Sequence, residues 1–398
     1  MGRVTRRVVF AVSSLALSDL GAFAQTIRAE QPVEWTDWAN VSVSWDHPSP
    51  DVGTDWIGAF LVDWPATYIM WRPLTDSVGW IEEGSQTPFT GLPRAQVVAV
   101  SGELSFRLLN GRHAYEFRYY RNNDPVAVSA PVRPHGGAPT QGHLSLVPGH
   151  PDRMALHWTS NSSSSLVPQV VRWGSSPDAL VHSTNSVQSQ TYTSGDLAAC
   201  LNRTVPLRTA SFANLSSHAC RCSEDDCYDD DTAQALFLDP GFLHSATMTD
   251  LLAGRDDDDS STHAEPLGKW AWKKGVTTAS RVYYSFGEDS GGAMSPTHSF
   301  AAPRPAGDPA PFHFLVTADA GIGGIPFEEK GGATDNDGAE VNGADSVFEA
   351  MLADPLLPGD ELVLVNGDLS YARGWGWIWE RYFNMVQPLA TGRPWMVG

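Results

Sequence analysis

The sequence predicts a multidomain chain: two N-terminal all-β, sandwich-like domains, then the first β-α-β-α-β part of an α/β domain. Three observations predict this. Short runs of alternating apolar and polar residues, separated by Pro, Gly and Asn, fill the chain to about residue 300. Two stretches rich in Pro or Gly, 133–142 and 301–311, divide it in three. Beyond the second, short apolar runs alternate with segments of helical spacing. At 398 residues the chain is too long for one ordinary domain, and its 15 Trp, 28 Pro and 36 Gly suit strands and turns better than helical bundles.

Residues 1–24 read as a signal peptide. MGRVTRR is a basic start, VVFAVSSLAL a short apolar core, and Ala22-Phe23-Ala24 a small-x-small cleavage site. Asp19 lies inside this region and leaves the cleavage position open. The apolar run is too short to span a bilayer, and no other stretch qualifies, so no membrane segment is expected in this chain. The sequons at Asn40, Asn161, Asn202 and Asn214 agree with a secreted or secretory-pathway glycoprotein, extracellular or vacuolar. Cys200, Cys220, Cys222 and Cys227 cluster in one window. One or two disulfides are expected there, with a zinc site as the alternative, although no His stands at finger spacing. The formal charge of −20 argues against a nucleic-acid partner, because no basic stripe exists to neutralise phosphates. A small phosphorylated substrate stays possible if metal ions supply local positive charge.

The first β domain is expected over 25–132, with strands in VSVSWDH, DWIGAFLV, ELSFRLL and AYEFRYY and no helix. RPHGGAPTQG, 133–142, reads as a linker. The second β domain, 133–304, carries HLSLVP, RMALHWTS, QVVRWG, HSATMTDLLAG, SRVYYSFG and THSFAAP as strands. Its acidic tracts SEDDCYDDD and RDDDDSS and the Ser-rich SNSSSS read as solvated insertions. Calcium would need a different spacing from theirs to form an EF-hand loop.

The α/β part is expected over 305–398. Residues 312–317 form a short apolar run suited to a strand buried on both faces, with His313 in the core. ADSVFEAMLA spaces Val347, Phe348, Met351 and Leu352 on one helical face. ELVLV is a second buried strand. WGWIWERYFNMVQPLA is a second helix with Ile378, Tyr382, Met385 and Leu389 in a stripe, and RPWMVG starts a third strand. Trp375, Trp377 and Trp379 read as helix packing rather than a substrate platform.

Asp319 follows the first of these strands and Asp368 the second. If the strands are parallel neighbours, both carboxylates reach the carboxyl edge, where open α/β sheets bind ligands. Gly321 and Gly367 let the backbone turn there. Two carboxylates so placed repel unless a proton or a cation intervenes. A hard cation such as Fe(III) takes oxygen ligands, and the phenolate of Tyr371 is one. Taken singly, a strand-ending Asp is more often a turn residue or helix cap than a ligand.

DAG at Asp319 and GDLSYARG at Gly367 resemble the first two motifs, D-x-G and G-D-x-x-Y, of the plant-type purple acid phosphatases, a metallophosphoesterase family. TYTSGDLAAC and DPGFLHSATMTDL resemble that family's fibronectin type III-like N-terminal domain. DWIGAFLV and RHAYEFRYY resemble the extra domain of its longer members, and NMVQPLATGRPWMVG the approach to its next motif. The resemblance implies an acid phosphatase that hydrolyses small phosphate monoesters with water activated at a dinuclear centre. That centre holds Fe(III) and a second divalent metal (Fe, Zn or Mn). Asp319 would bind the Fe(III), Tyr371 would bind it through its phenolate, and Asp368 would bridge both metals. The family's remaining ligands come from G-N-H-E, V-x-x-H and G-H-x-H, and none of the 12 His here stands in such a motif. The sequence is therefore expected to be truncated before G-N-H-E, to hold no catalytic residue beyond the metal ligands, and to be inactive in isolation. Two other readings stand beside this one. The first is a non-catalytic secreted β-domain binding protein with a vestigial half-site. The second is a phosphodiesterase or nucleotide pyrophosphatase on the same scaffold.

Overall fold

A computed structural model of the protein describes residues 26–33, 35–47, 55–62, 64–73, 100–121, 124–194, 196, 237–251, 281–289, 291–303, 313–321, 344–353, 360–370 and 376–397. The expected signal peptide, all four cysteines, the two acidic tracts, the sequons at Asn202 and Asn214, and Tyr371 lie outside the described residues.

The N-terminal part pairs β1 (Thr26–Ala29), β2 (Trp38–His47) and β5 (Val100–Leu109) in one antiparallel sheet. A second sheet runs β4 (Trp64–Pro73), β3 (Trp56–Leu61), β6 (Tyr115–Arg121), β7 (Asp124–Val128). Strict alternation on β2 turns Val41, Val43 and Trp45 inward. They share one apolar cluster with Phe106 of β5, Ile57 of β3 and Phe117 of β6, so the two sheets face each other across it. Gly102 stands opposite Trp45, whose indole lies 2.8 Å from where a Cβ would be, so only glycine fits beneath that ring.

The next part repeats the arrangement. One sheet runs β11 (His182–Thr184), β10 (Gln169–Gly174), β14 (Arg281–Glu288), β15 (His298–Ala301). The other runs β12 (Gln188–Gln190), β13 (Phe242–Met248), β9 (Met154–Ser160), β8 (Thr140–Leu146). Trp158, Leu156, Val171, Tyr284 and Phe300 fill the space between them. Sequence reading missed β1, β4, β7, β11 and β12, and its linker to 142 overlaps the start of β8.

The C-terminal part is β16 (His313–Thr317), β17 (Ala320–Gly321), α1 (Ala344–Ala353), β18 (Asp360–Val365), β19 (Leu369–Ser370), α2 (Gly376–Ala390) and β20 (Trp395–Val397). The order β16-β18-β20 is parallel throughout. Right-handed crossovers between sequential parallel neighbours put both helices on one face of the sheet. The apolar cluster agrees: Val363 and Val365 of β18 pack with Phe348 of α1 and with Ile378, Tyr382 and Leu389 of α2.

Covering one face only corrects three expectations. The first strand is not buried on both sides, since Phe314 and Val316 are 50% and 54% exposed. His313 is exposed rather than in the core. On α1, Phe348 is buried, while Val347 and Leu352, expected on the same face, are exposed.

α2 is the structural hinge-pin of the chain because it meets all three parts. Ile378 and Tyr382 face the parallel sheet. Trp377 enters the first β cluster and packs edge-on against Tyr115, with centroids 6.1 Å apart. Gln387 Oε1 accepts from the Gly142 amide of β8 at 2.9 Å. Just past the helix, the Thr391 carbonyl accepts from the Tyr284 hydroxyl at 2.8 Å.

Candidate functional site

β16 and β18 run in the same direction, so their carboxyl ends reach one edge together. The pairing continues beyond them. The Asn366 amide donates to the Thr317 carbonyl at 2.9 Å, the Ala320 amide to the Asp368 carbonyl at 3.1 Å, and β17 then pairs with β19 in parallel. Asp319 and Asp368 thus stand on adjacent chains at matching height. The Asp368 amide donates to Asp319 Oδ1 at 3.1 Å, and both residues are exposed.

The backbone there is unusual. Asp319 has φ 50°, Ser370 has φ 55° and Gly367 has φ 146°. Left-handed conformations in non-glycine residues cost about 1–3 kcal/mol and persist only where the surroundings enforce them. At Gly367 the reason is visible. A Cβ would lie 2.7 Å from Asp319 Oδ1 and 3.0 Å from the Asp319 amide nitrogen, so glycine lets the second motif close onto the first aspartate. Ser370 is fully buried, and its hydroxyl has no hydrogen-bond partner among the described residues.

The donor set is two hard carboxylates on one edge, one oxygen of Asp319 already oriented by a backbone amide. That set suits a hard cation. Among the described residues, no group of three or more His, Cys, Asp or Glu stands together. The third expected ligand, Tyr371, follows the buried Ser370 but lies outside the described residues.

A second constellation has no sequence signal. Arg112, in the turn between β5 and β6, and Gln141 of β8 both adopt left-handed φ, 66° and 62°. Both reach the buried carboxylate of Glu380 on α2. Arg112 Nη2 donates to Oε1 at 2.5 Å and Gln141 Nε2 to Oε2 at 2.6 Å. Arg112 Nη1 also donates to Thr140 Oγ1 at 3.0 Å, and Thr159 Oγ1 donates to Gln141 Oε1 at 3.0 Å. Burial pushes the Glu380 carboxyl up, and Arg112 and Gln141 pull it part of the way back. Residues 112 and 380 are too far apart in the chain for any local pattern to join them. The available hint was a lone Glu between Trp377 and Phe383, three residues away on either side of it along one helix face. A cavity of about 440 Å³ opens beside this cluster, walled by Tyr192, Leu243, Leu369, Trp379 and Phe383. Gln141 and Glu380 form its polar end, and the Glu380 carboxylate holds both the Gln141 amide and the Arg112 guanidinium, so the three order the junction of the three parts.

No family model matches the chain. Among curated proteins it is similar to the "Probable inactive purple acid phosphatase 27" of Arabidopsis thaliana, 23% identical over 381 residues, 91% of this chain and 50% of that protein. It is also similar to the "Probable inactive purple acid phosphatase 9" of the same plant, 44% identical over 43 residues, 10% of this chain and 7% of that protein. The chain spans about half the length of the first of these relatives. The weak but nearly chain-long similarity to the first of these proteins suggests a phosphoesterase scaffold.

Proposed function

We propose that Asp319 and Asp368, together with Tyr371, form the metal-holding part of a phosphoesterase site, and that the whole protein hydrolyses small phosphate monoesters. The observation that supports this best is the hydrogen bond from the Asp368 amide to Asp319 Oδ1 across adjacent parallel strand ends. It sets two carboxylates on one exposed edge, and among the described residues no cationic side chain pairs with either. Their mutual repulsion is relieved by a bound cation.

In this reading Asp319, Asp368 and Tyr371 would be the residues that hold Fe(III) and help to hold a second divalent ion (Fe, Zn or Mn). When bound, such a pair supplies Lewis acidity and lowers the pKa of water. The chain's own residues do the positioning. Gly367 brings the second motif against the first, and the Asp368 amide fixes one Asp319 oxygen. The left-handed turn at Ser370 sets the direction in which the chain leaves toward Tyr371. A secretory-pathway location is part of the same proposal. Asn40 and Asn161 are both exposed, as glycosylated sequons must be. No helix among the described residues is long and apolar enough to cross a membrane.

A second reading draws on the printed names of the relatives, which call both proteins probable inactive. In that reading the site binds metal without turnover and the β domains bind a partner. One experiment separates them. Fe(III), supplied as citrate, and Zn(II) are titrated into this chain and its D319N and D368N variants, with calorimetry and visible absorption as readouts. The longest natural form of the protein is assayed on a phosphate monoester. Metal binding lost in both variants, with turnover lost in D368N, supports the enzyme. Metal binding without turnover supports the second reading. Binding unchanged in both variants overturns the site itself.

A further inference from the structure

The second β sandwich meets α2 through a ring stack that contains two histidines. His143 of β8 stands opposite His157 of β9 in the ladder, and their rings lie 5.0 Å apart with planes 22° apart. Phe383 of α2 lies on His143 at 5.6 Å and 19°. The stack therefore runs from strand to strand to helix. His143 Nδ1 is 2.9 Å from the Gln141 carbonyl oxygen and donates to it. His157 Nε2 is 3.0 Å from Ser145 Oγ.

No counter-ion faces these rings among the described residues. From α2, Phe383 makes the contact. One turn earlier stands Glu380, whose two oxygens are held by Arg112 and Gln141. Arg381 projects about 100° further round the helix. From β13, the strand on the far side of β9, Ser245 pairs with His157 and does not titrate. A proton on either half-buried imidazole would thus place a cation beside a second imidazole, with no anion among the described residues against it. The phenyl face of Phe383 offsets only part of that cost.

We propose that the His143–His157–Phe383 stack is an acid-sensitive latch: it holds α2 on the second β sandwich while both imidazoles are neutral and loosens when either is protonated. α2 begins six residues after Ser370, so its release reaches the second strand end and the 440 Å³ cavity whose wall includes Phe383. The latch is independent of any metal at Asp319 and Asp368, because it uses none of their contacts.

The direction of titration agrees with the geometry. Burial is the first cause in each ring. It lowers His143, with the Gln141 carbonyl opposing, and it lowers His157 to about 4, with His143 adding to the effect. An opened stack takes up protons near the ordinary value of about 6.5, whereas the closed one resists until about 4. Docking is therefore complete above pH 6.5 and weakens as pH falls toward 4.

The test is hydrogen exchange of the full chain at about pH 7.5 and about pH 5, corrected for intrinsic rates. It compares the wild type with His157→Gln, whose amide still reaches Ser145. In the wild type the closed-to-open ratio of α2 amides falls by up to about 30-fold between the two conditions, while β2 and β5 stay protected. In His157→Gln the fall is absent or much smaller. The same fall in both proteins, or α2 protection that ignores pH in the wild type, overturns the latch. If the variant does not fold, the wild-type imidazole C2–H resonances decide. A His157 midpoint below about pH 5.5 supports the latch, and one at or above it overturns it.

Discussion

Gly367 shows how one residue type serves the candidate site. Its φ of 146° is barred to L side chains, and a Cβ there would press on Asp319 Oδ1 at 2.7 Å. Gly367→Ala is expected to cost about 1–3 kcal/mol and to push Asp319 out of line. Urea unfolding reads the first effect, and a tenfold or greater loss of Fe(III) affinity reads the second. Affinity equal to wild type would mean that Asp319 does not depend on this close approach. Tyr382 gives the opposite expectation. Its ring is fully buried between α1, α2 and the parallel sheet, but its hydroxyl has no hydrogen-bond partner among the described residues. A buried unpaired hydroxyl carries a desolvation penalty with nothing to offset it. Tyr382→Phe should therefore leave stability unchanged or raise it by about 1 kcal/mol. A loss of more than about 1 kcal/mol in urea denaturation would show that the hydroxyl has a partner after all.

At the scale of elements, α2 is fixed by one buried charge pair as much as by its apolar stripe. Arg112 and Glu380 are both nearly inaccessible, with side-chain exposures of 2% and 6%. Removing one member leaves the other charge buried and unpaired, which typically costs about 3–5 kcal/mol, whereas replacing both is often close to neutral. Arg112→Met should accordingly destabilise strongly, and Arg112→Met with Glu380→Met should recover most of the loss. A double variant no better than the single one would place the Arg112 contribution in its bond to Thr140 instead. This junction was not legible in the sequence, whereas the elements it joins largely were. Period-two alternation gave β2, and helical spacing gave α2 almost to its ends, because each pattern answers to a local neighbour. The juxtaposition of Asp319 with Asp368 followed from reading two short buried runs as parallel neighbours. What failed depended on layers the local pattern does not encode. Phe314 and Val316 sit on the uncovered face of an edge strand and His313 at its exposed start, and Arg112 meets Glu380 across three parts of the chain. β11 and β12, three residues each, are too short for any periodicity to register.

Over the whole molecule, acid acts through opposing groups, and magnitudes decide between them. His157, His244 and His298 are each lowered to about 4, with burial as the first cause. His244 sits with both ring nitrogens in hydrogen bonds, 2.8 Å from Ser160 Oγ and 2.7 Å from Ser189 Oγ, and both hydroxyls can accept, so the cost of protonation there is one of burial. A folded-state value below the unfolded one costs stability as pH drops below about 6.5, and the cost stops growing near 4. At pH 5 each such imidazole contributes a loss on the order of 2 kcal/mol. Two effects oppose this. The formal charge of −20 means that acid relieves self-repulsion, but those charges are largely screened beyond about 8 Å at physiological salt. Glu380, raised by burial, contributes stability that is present at low pH and lost as pH rises through its folded value. With Asp37, also raised by burial, it makes two groups against four, since His143 is lowered as well, and Arg112 and Gln141 reduce the Glu380 shift. The histidines should win. Stability should be level from about pH 8 to 6.5 and then fall toward pH 4.5, before most carboxylates begin to protonate. Urea midpoints across that range, followed by tryptophan fluorescence, check the shape. His244→Gln measured beside the wild type should flatten part of the slope. A midpoint that rises steadily from pH 6.5 to 4.5 would mean that relief of the net charge outweighs the buried imidazoles.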